Sequence, residues 1–125
     1  MSMFTDEQAL AIFNTTYDKE NGYSAQQIFD QVWEAPYSWF RLTSKSTTLP
    51  AYVGEVDDYK NILLSHDAVT EDQIKIAAIR NYFENWSKYV DSKWNRTLQS
   101  YLCDLDANDV DCILQLAMFE EIRYS

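Results

Sequence analysis

The 125-residue sequence is poor in the residues that form tight turns, with only two glycines and two prolines. A β-sandwich or β-barrel needs many such turns, so this scarcity argues against an all-β fold. Basic residues are also scarce, because 10 lysines and arginines stand against 20 aspartates and glutamates, giving a formal net charge of −10. Direct binding to nucleic acid or to an anionic membrane is therefore disfavoured, since both need lysine and arginine.

Cysteine, histidine and long apolar runs are the next shortages. The chain has two cysteines and one histidine. It has no run of about 18 apolar residues, the length typical of a transmembrane helix. No basic and then apolar leader precedes the first capping sequence. We therefore expect a cytoplasmic protein in which Cys103 and Cys112 are buried free thiols.

No catalytic, cofactor or metal motif is complete in this sequence. His66 has no histidine, cysteine or glutamate at the spacing of a zinc site. Residues 104–108 begin like a calcium loop, but Asp109 stands where the loop needs glycine, and Gln115 stands where it needs glutamate. Glycine-rich phosphate loops and nucleophile motifs are also missing. We expect neither enzymatic activity nor a cofactor or metal.

Helical periodicity is the strongest positive signal. From Ile74 to Leu102, apolar residues recur at steps of mostly three or four, and neither glycine nor proline interrupts them. This pattern predicts one long helix over about residues 70–103. It would be roughly 50 Å long at about 1.5 Å per residue, unless it kinks near Asp91.

Capping signals place the other helices. The sequence has the capping-box pattern at Thr5 with Gln8, Ser24 with Gln27, Thr70 with Gln73 and Asp106 with Asp109. Asn21-Gly22 and Pro36 are expected to end the first two helices, and a further short helix is expected over Glu55–Ser65. The prediction is an all-α, single-domain bundle of about five helices spanning residues 1–125. An irregular insert at 37–54 is either an ordinary connection or a small hairpin.

Acidic residues are spread over every predicted element except the long helix. Segments 1–36, 55–72 and 104–125 each contain six acids and one base, whereas the long helix carries half of all the bases. Solubility is the simplest explanation of the negative charge. The alternative is a surface that attracts a basic protein.

Aromatic residues are numerous, with 4 Trp, 9 Tyr and 6 Phe. A core of this size cannot bury all of them, and exposed Tyr and Trp are preferred anchors of protein interfaces that can also stack on arginine. The candidate partner-binding residues are acids expected to be exposed near helix ends, with three aromatic companions: Asp57, Asp58, Asp104, Asp106, Asp109, Asp111, Trp39, Tyr52 and Tyr59. A residue of each of these kinds is more often just a helix cap, a solvated acid or a core ring.

In composition, though not in any motif, the chain is similar to phage-encoded DNA mimics, including antirestriction and anti-CRISPR inhibitors. The similarity implies a non-enzymatic acidic protein that blocks a basic, nucleic-acid-handling partner such as a nuclease. One alternative is an immunity protein that neutralises a cognate toxin. Another is a structural or adaptor protein whose long helix pairs with a second copy as a homodimer. A third is a small enzyme, which would need carboxylates with raised pKa values in a pocket.

Overall fold

The structure of the chain is a computed structural model that describes residues 4–32, 39–43, 46–57, 62–65, 68–86 and 97–123. Within these ranges it is mostly helical, with a small antiparallel sheet. The α-helices are α1 (Asp6–Thr16), α2 (Ala25–Val32), α3 (Glu71–Asn81), α4 (Leu98–Cys103) and α5 (Ala107–Phe119). The strands are β1 (Phe40–Leu42), β2 (Val53–Val56) and β3 (Ile62–Ser65).

The four predicted capping boxes are confirmed. At each, the side chain of the cap accepts the backbone N–H three residues on, and the side chain there accepts the N–H of the cap. These reciprocal bonds join Thr5 and Gln8, Ser24 and Gln27, Thr70 and Gln73, and Asp106 and Asp109. Helices α1, α2, α3 and α5 therefore begin where the sequence places them, because each cap is satisfied within one turn.

The predicted helix over Glu55–Ser65 is wrong. Val53–Val56 and Ile62–Ser65 are instead antiparallel strands of a sheet with the order β1-β2-β3. Every side chain of β2 is buried, so the strand lacks the apolar and polar alternation that would identify it in the sequence. The hairpin alternative for residues 37–54 is confirmed, since β1 lies within that insert and pairs with β2.

The predicted single helix over residues 70–103 is also wrong. Helix α3 ends at Asn81 and continues as a π-helix over Tyr82–Trp86. Helix α4 starts anew, because Thr97 has extended backbone angles and its side chain accepts the N–H of Ser100. Residues 87–96, with the expected kink at Asp91, lie outside the described ranges. Apolar spacing alone could not distinguish one helix from two that bury the same side.

Helices α1 and α3 run antiparallel. Near the end of α1, Asn14 Oδ1 accepts a hydrogen bond of 3.2 Å from Lys75 Nζ in the first half of α3. At the other end Asp6 forms an ion pair with Arg80. Beyond that pair the rings of Phe4 and Phe83 meet edge to face, 5.0 Å apart. Only opposite helix directions satisfy all of these contacts.

One hydrophobic cluster receives side chains from all five α-helices and from β1 and β2. Its largest fully buried members include Tyr101, Phe13, Phe29 and Ile74. The apolar side chains of α3 are buried in this cluster, between α1, α2 and α5. Burial of this kind holds the ends of the helices in fixed positions, and these ends carry many of the acids.

Replacement of Thr70 by alanine tests the contribution of capping to the fold. Thr70→Ala removes the acceptor for the Gln73 N–H, so we expect the free energy of unfolding to fall by about 1 kcal/mol. Urea denaturation followed by circular dichroism measures the change. Thr15→Ala is the matched control, because Thr15 is exposed within α1 and caps nothing. An equal loss in both variants would contradict the capping role.

Candidate functional site

The predicted acidic candidates have different environments. Asp104 and Asp106 are exposed and Asp57 is partly exposed, but Asp109 and Asp111 are only 2% and 5% exposed. The expectation that all of these carboxylates lie at the surface is therefore wrong for Asp109 and Asp111. Both are withdrawn from solvent by the way α5 begins and packs.

Asp109 is buried because it completes the capping box of α5. Its Oδ2 accepts the N–H of Asp106 at 3.2 Å, and Asp106 Oδ1 in turn accepts the N–H of Asp109 at 2.8 Å. The neighbouring apolar residues Leu105 and Val110 are both buried, as a hydrophobic staple requires. The carboxylate of Asp109 serves the start of the helix and is not available to a partner.

Asp111 is the centre of a buried chain of hydrogen bonds. Its Oδ1 accepts from Trp39 Nε1 at 2.7 Å, and its Oδ2 accepts from Gln115 Nε2 at 2.7 Å. Gln115 is fully buried, and its Oε1 accepts the backbone N–H of Arg123 at 2.7 Å. A buried carboxylate needs such donors, since an unsatisfied charge in the core is very costly.

Trp39 is a core residue and not an exposed anchor. It is 8% exposed, and its ring lies 4.7 Å from that of Phe40 and 5.5 Å from that of Phe119. The guanidinium of Arg123 lies 4.4 Å from the centre of the Phe119 ring and extends the stack to the surface. Of the two interpretations of Trp39, the structure favours the core ring, because its indole N–H donates to the buried Asp111.

Tyr52 is the predicted aromatic candidate that the structure places at the surface, with half of its area exposed. It follows Ala51, whose backbone forms two hydrogen bonds with that of Val69 just before α3. Because this pairing is antiparallel, the chain runs from Ala51 to Tyr52 in the direction opposite to that from Val69 into α3. Two further predicted candidates, Asp58 and Tyr59, lie outside the described residues.

The structure connects segments that carry four acids the sequence analysis did not select. Because α1 and α3 are antiparallel, Glu71 and Asp72 in the first turn of α3 lie where α1 ends. The turn that follows α1 carries Asp18 and Glu20, and just beyond it the N–H of Tyr23 donates to the carbonyl of Leu102 at 3.0 Å, near the end of α4. Asp104 and Asp106 follow α4 directly. We call the acids of these three segments the acidic end: Asp18, Glu20, Glu71, Asp72, Asp104 and Asp106.

Basic side chains in the described ranges lie both at the acidic end and away from it. Lys19 is in the turn that follows α1, and Lys75 lies one turn after Glu71 and Asp72 and donates to Asn14. Arg80 pairs with Asp6 at the start of α1, and Arg123 pairs with Glu121 after α5 at 2.8 Å. The acidic end therefore carries an excess of negative charge that Lys19 and Lys75 partly offset.

Asp18 organises the turn that follows α1. Its Oδ1 accepts the N–H of Glu20 at 3.0 Å, and its Oδ2 accepts the side-chain N–H of Asn21 at 3.0 Å. These bonds, the Glu20 bond first, hold the pKa of Asp18 below its ordinary value of 3.8. The ionised carboxylate therefore stabilises the turn at neutral pH, and this contribution is lost as the pH falls through the lowered pKa.

The two cysteines are free thiols of intermediate burial, so the expectation of fully buried thiols is only partly confirmed. Burial, and then the charges of Asp111, Asp109 and Asp106, raise the pKa of Cys112 above its ordinary value of 9.0. A thiol with a raised pKa is a poor nucleophile at neutral pH.

The described part of the chain contains neither a metal-binding cluster nor a membrane-spanning helix. No three His, Cys, Asp or Glu side chains there lie close enough together to hold a metal ion. No helix within those ranges combines the length and the apolar character that crossing a bilayer requires. His66 lies outside the described residues. The candidate site is the acidic end, because its exposed carboxylates can attract cationic groups.

Asp111→Asn tests the buried hydrogen-bond chain. An amide offers one acceptor and one donor where Trp39 and Gln115 both donate, so one bond is lost inside the core. We expect the free energy of unfolding to fall by about 1–3 kcal/mol. Glu7→Gln is the control, because Glu7 is an exposed acid and its loss should change stability by less than about 0.5 kcal/mol. Equal stability of the two variants would contradict the role of Asp111.

The raised pKa of Cys112 predicts slow alkylation. In a Cys103→Ser variant, iodoacetamide should modify Cys112 more slowly than free cysteine at pH 8, because less thiolate is present. The rate should still rise above pH 9.0, the ordinary pKa of the thiol. Mass spectrometry over a pH series measures it, with the urea-unfolded chain as reference. Equal pH profiles for the folded and unfolded chains would show that the fold does not shift the pKa.

Comparison with known proteins assigns no family to the chain. No protein-family model matches it, and neither a curated protein nor a solved structure does so. Its function is therefore inferred from its own residues, of which the acidic end and the half-exposed Tyr52 are the candidates.

Proposed function

We propose that the protein is a non-enzymatic acidic inhibitor that binds a basic, nucleic-acid-handling protein and blocks it as a DNA mimic does. Carboxylates of the acidic end would occupy the positions that phosphates take on a lysine- and arginine-rich surface. Antirestriction and anti-CRISPR inhibitors are the class of viral protein that includes DNA mimics of this kind. The function needs neither a cofactor nor a metal, and it would be exercised in the cytoplasm.

The feature that carries the proposal is the set of six carboxylates of the acidic end. They come from the turn after α1, the first turn of α3 and the link between α4 and α5. Arg80 and Arg123 form their ion pairs at other places on the described surface. A surface with an excess of one charge attracts an oppositely charged partner and speeds the encounter, which suits an inhibitor that competes with nucleic acid.

Rigid placement of these acids supports the same function. Glu71 and Asp72 are fixed by a capped helix, Asp106 is itself a cap, and Asp18 is held by hydrogen bonds of its own turn. Short side chains on a fixed backbone have little conformational entropy to lose on binding. The acidic end is thus better prepared for binding than an acidic tail would be.

Tyr52 supplies an exposed aromatic group in addition to the acids. Half of its area is exposed. An exposed tyrosine ring is suited to stack on an arginine of a basic partner. We therefore include Tyr52 in the proposed interface with the acidic end.

The homodimer alternative receives less support. It requires the apolar face of the predicted long helix to be available to a second copy. In the described part of that face, Ile74, Ala78 and Ile79 are fully buried within the chain itself. An immunity protein would use a similar acidic surface but would recognise one toxin only.

Binding to basic nucleases at increasing salt tests the proposed function. A panel of restriction endonucleases, CRISPR effector nucleases and nuclease toxins would be titrated with the protein by fluorescence anisotropy. If carboxylates replace phosphates, affinity for a bound nuclease should fall steeply between about 50 and 200 mM salt, and DNA should compete. Binding that does not weaken with salt would contradict mimicry, whereas exclusive binding of one toxin would favour the immunity alternative.

Charge-neutralising variants test the location of the interface. The double variant Glu71→Gln/Asp72→Asn removes two charges of the acidic end without changing side-chain size. We expect affinity for the nuclease to fall by roughly tenfold, since each lost charge contact is worth about 0.5–1 kcal/mol. The matched control is Glu7→Gln/Glu120→Gln, in which both replaced acids are exposed and lie outside the acidic end. Equal losses would show that only net charge matters.

A further inference from the structure

The turn that follows α1 is closed entirely on Asp18. Its backbone carbonyl accepts the N–H of Asn21 at 3.2 Å and the N–H of Gly22 at 2.6 Å. Its carboxylate accepts the N–H of Glu20 and the side-chain N–H of Asn21. Asp18 thus holds both the amide side chain of Asn21 and the backbone nitrogen of Gly22.

Gly22 is required here by close packing. A Cβ atom at this position would lie 2.9 Å from the carbonyl oxygen of Asp18 and 3.3 Å from the ring of Tyr17. The packing requirement creates the only Asn-Gly step in the sequence, because the other glycine follows Val53. A glycine after asparagine leaves its own nitrogen sterically free to approach the asparagine side chain.

An Asn-Gly step can rearrange without an enzyme. The Gly22 nitrogen, on losing its proton to solvent base, attacks Cγ of Asn21 and forms a cyclic imide. The Cγ–Nδ2 bond breaks, and Nδ2 leaves as ammonia after taking up a proton. Water then adds to either carbonyl of the imide, which gives aspartate or isoaspartate. No oxidant or other reactant is needed, so water and the two residues balance the reaction.

We propose that Asn21 is a deamidation site gated by Asp18, at which the intact turn suppresses the reaction and opening of the turn permits it. The attacking nitrogen donates its N–H to Asp18 O, and the leaving amide donates to Asp18 Oδ2. Both bonds must break before Gly22 N can reach Cγ of Asn21. Asn21 itself is exposed, so the hydrogen bonds and not burial provide the protection.

Conversion of Asn21 to aspartate or isoaspartate makes the opening of the turn irreversible. The product carries a carboxylate where Asn21 donated to Asp18, so two like charges face each other and the turn cannot close as before. Isoaspartate also lengthens the backbone just before Tyr23, whose N–H binds Leu102 O and links the turn to α4. The site therefore converts a local opening into a permanent change at the junction of α1, α2 and α4. It would operate whether or not the acidic end binds a partner.

Deamidation rates test whether the hydrogen bonds to Asp18 protect Asn21. The folded protein, an Asp18→Ala variant and a synthetic peptide of residues 18–28 would be incubated at 37 °C and neutral pH. The peptide that starts at Glu20 after trypsin cleavage would then be analysed by mass spectrometry, and isoaspartate by isoaspartyl methyltransferase. We expect the folded protein to react at least roughly tenfold more slowly than the peptide, and Asp18→Ala to recover much of that factor. Equal rates in folded protein and peptide would overturn the protection.

A second measurement covers the case in which Asp18→Ala fails to fold. In the unmodified protein, hydrogen exchange of the Gly22 N–H and deamidation of Asn21 should rise together with sub-denaturing urea, because both require the same opening. Deamidation that stays constant while exchange rises would overturn the gate. So would an Asp18→Ala variant that folds yet reacts at the rate of the unmodified protein.

Variants of Asn21 test the consequence. Asn21→Asp reproduces the aspartate product and should lower the melting temperature, whereas Asn21→Ser removes the donor without adding charge and should lower it less. At a pH below the pKa of Asp18 the two variants should converge, since the repulsion disappears. Equal melting temperatures at neutral pH would overturn the proposed irreversibility.

Discussion

The arrangement of the sheet and α5 depends on the hydrogen bonds that the buried carboxylate of Asp111 accepts. This carboxylate lies in the core, where an isolated charge would be far too costly, and it is tolerated because Trp39 and Gln115 aim N–H groups at its two oxygens. Trp39 leads into β1, and Gln115 receives the N–H of Arg123 from the end of the chain. One buried charge therefore fixes the sheet, the last helix and the segment after it relative to each other.

The acids of this chain divide into groups with different physical roles. Asp111 and Asp109 are buried and structural, one as a hydrogen-bond centre and the other as part of a cap. Asp18 closes a turn while remaining near solvent, and Asp106 both caps α5 and contributes charge to the surface. The negative charge exposed at the surface is thus smaller than the total number of acids suggests. The acidic end holds part of it, and other exposed acids, such as Asp6, Glu7 and Glu120, lie elsewhere.

In the turn after α1, close packing determines the chemical reactivity of an exposed residue. The ring of Tyr17 and the carbonyl of Asp18 leave no room for a side chain at residue 22, and glycine there makes Asn21 chemically vulnerable. The same Asp18 that lowers this vulnerability also belongs to the acidic end. Loss of the turn would therefore alter stability and surface charge together, although each follows from different atoms of the same residue.

The starts of α1, α2, α3 and α5 could be predicted from the sequence, because capping bonds join residues only three apart. The predominance of helix and the excess of acids could also be read from it. Three features depend on tertiary packing: the strands near Glu55, the new helix after Thr97, and the burial of Asp111 and Trp39. Trp39 and Asp111 are 72 residues apart in the sequence, so no local sequence pattern predicts their hydrogen bond. The acidic end likewise arises from the antiparallel packing of α1 and α3 and from the bond between Tyr23 and Leu102. Local hydrogen bonds can be predicted because they depend on residues that are neighbours in the sequence. Burial and the positions of charges depend on which distant segments pack together in the core.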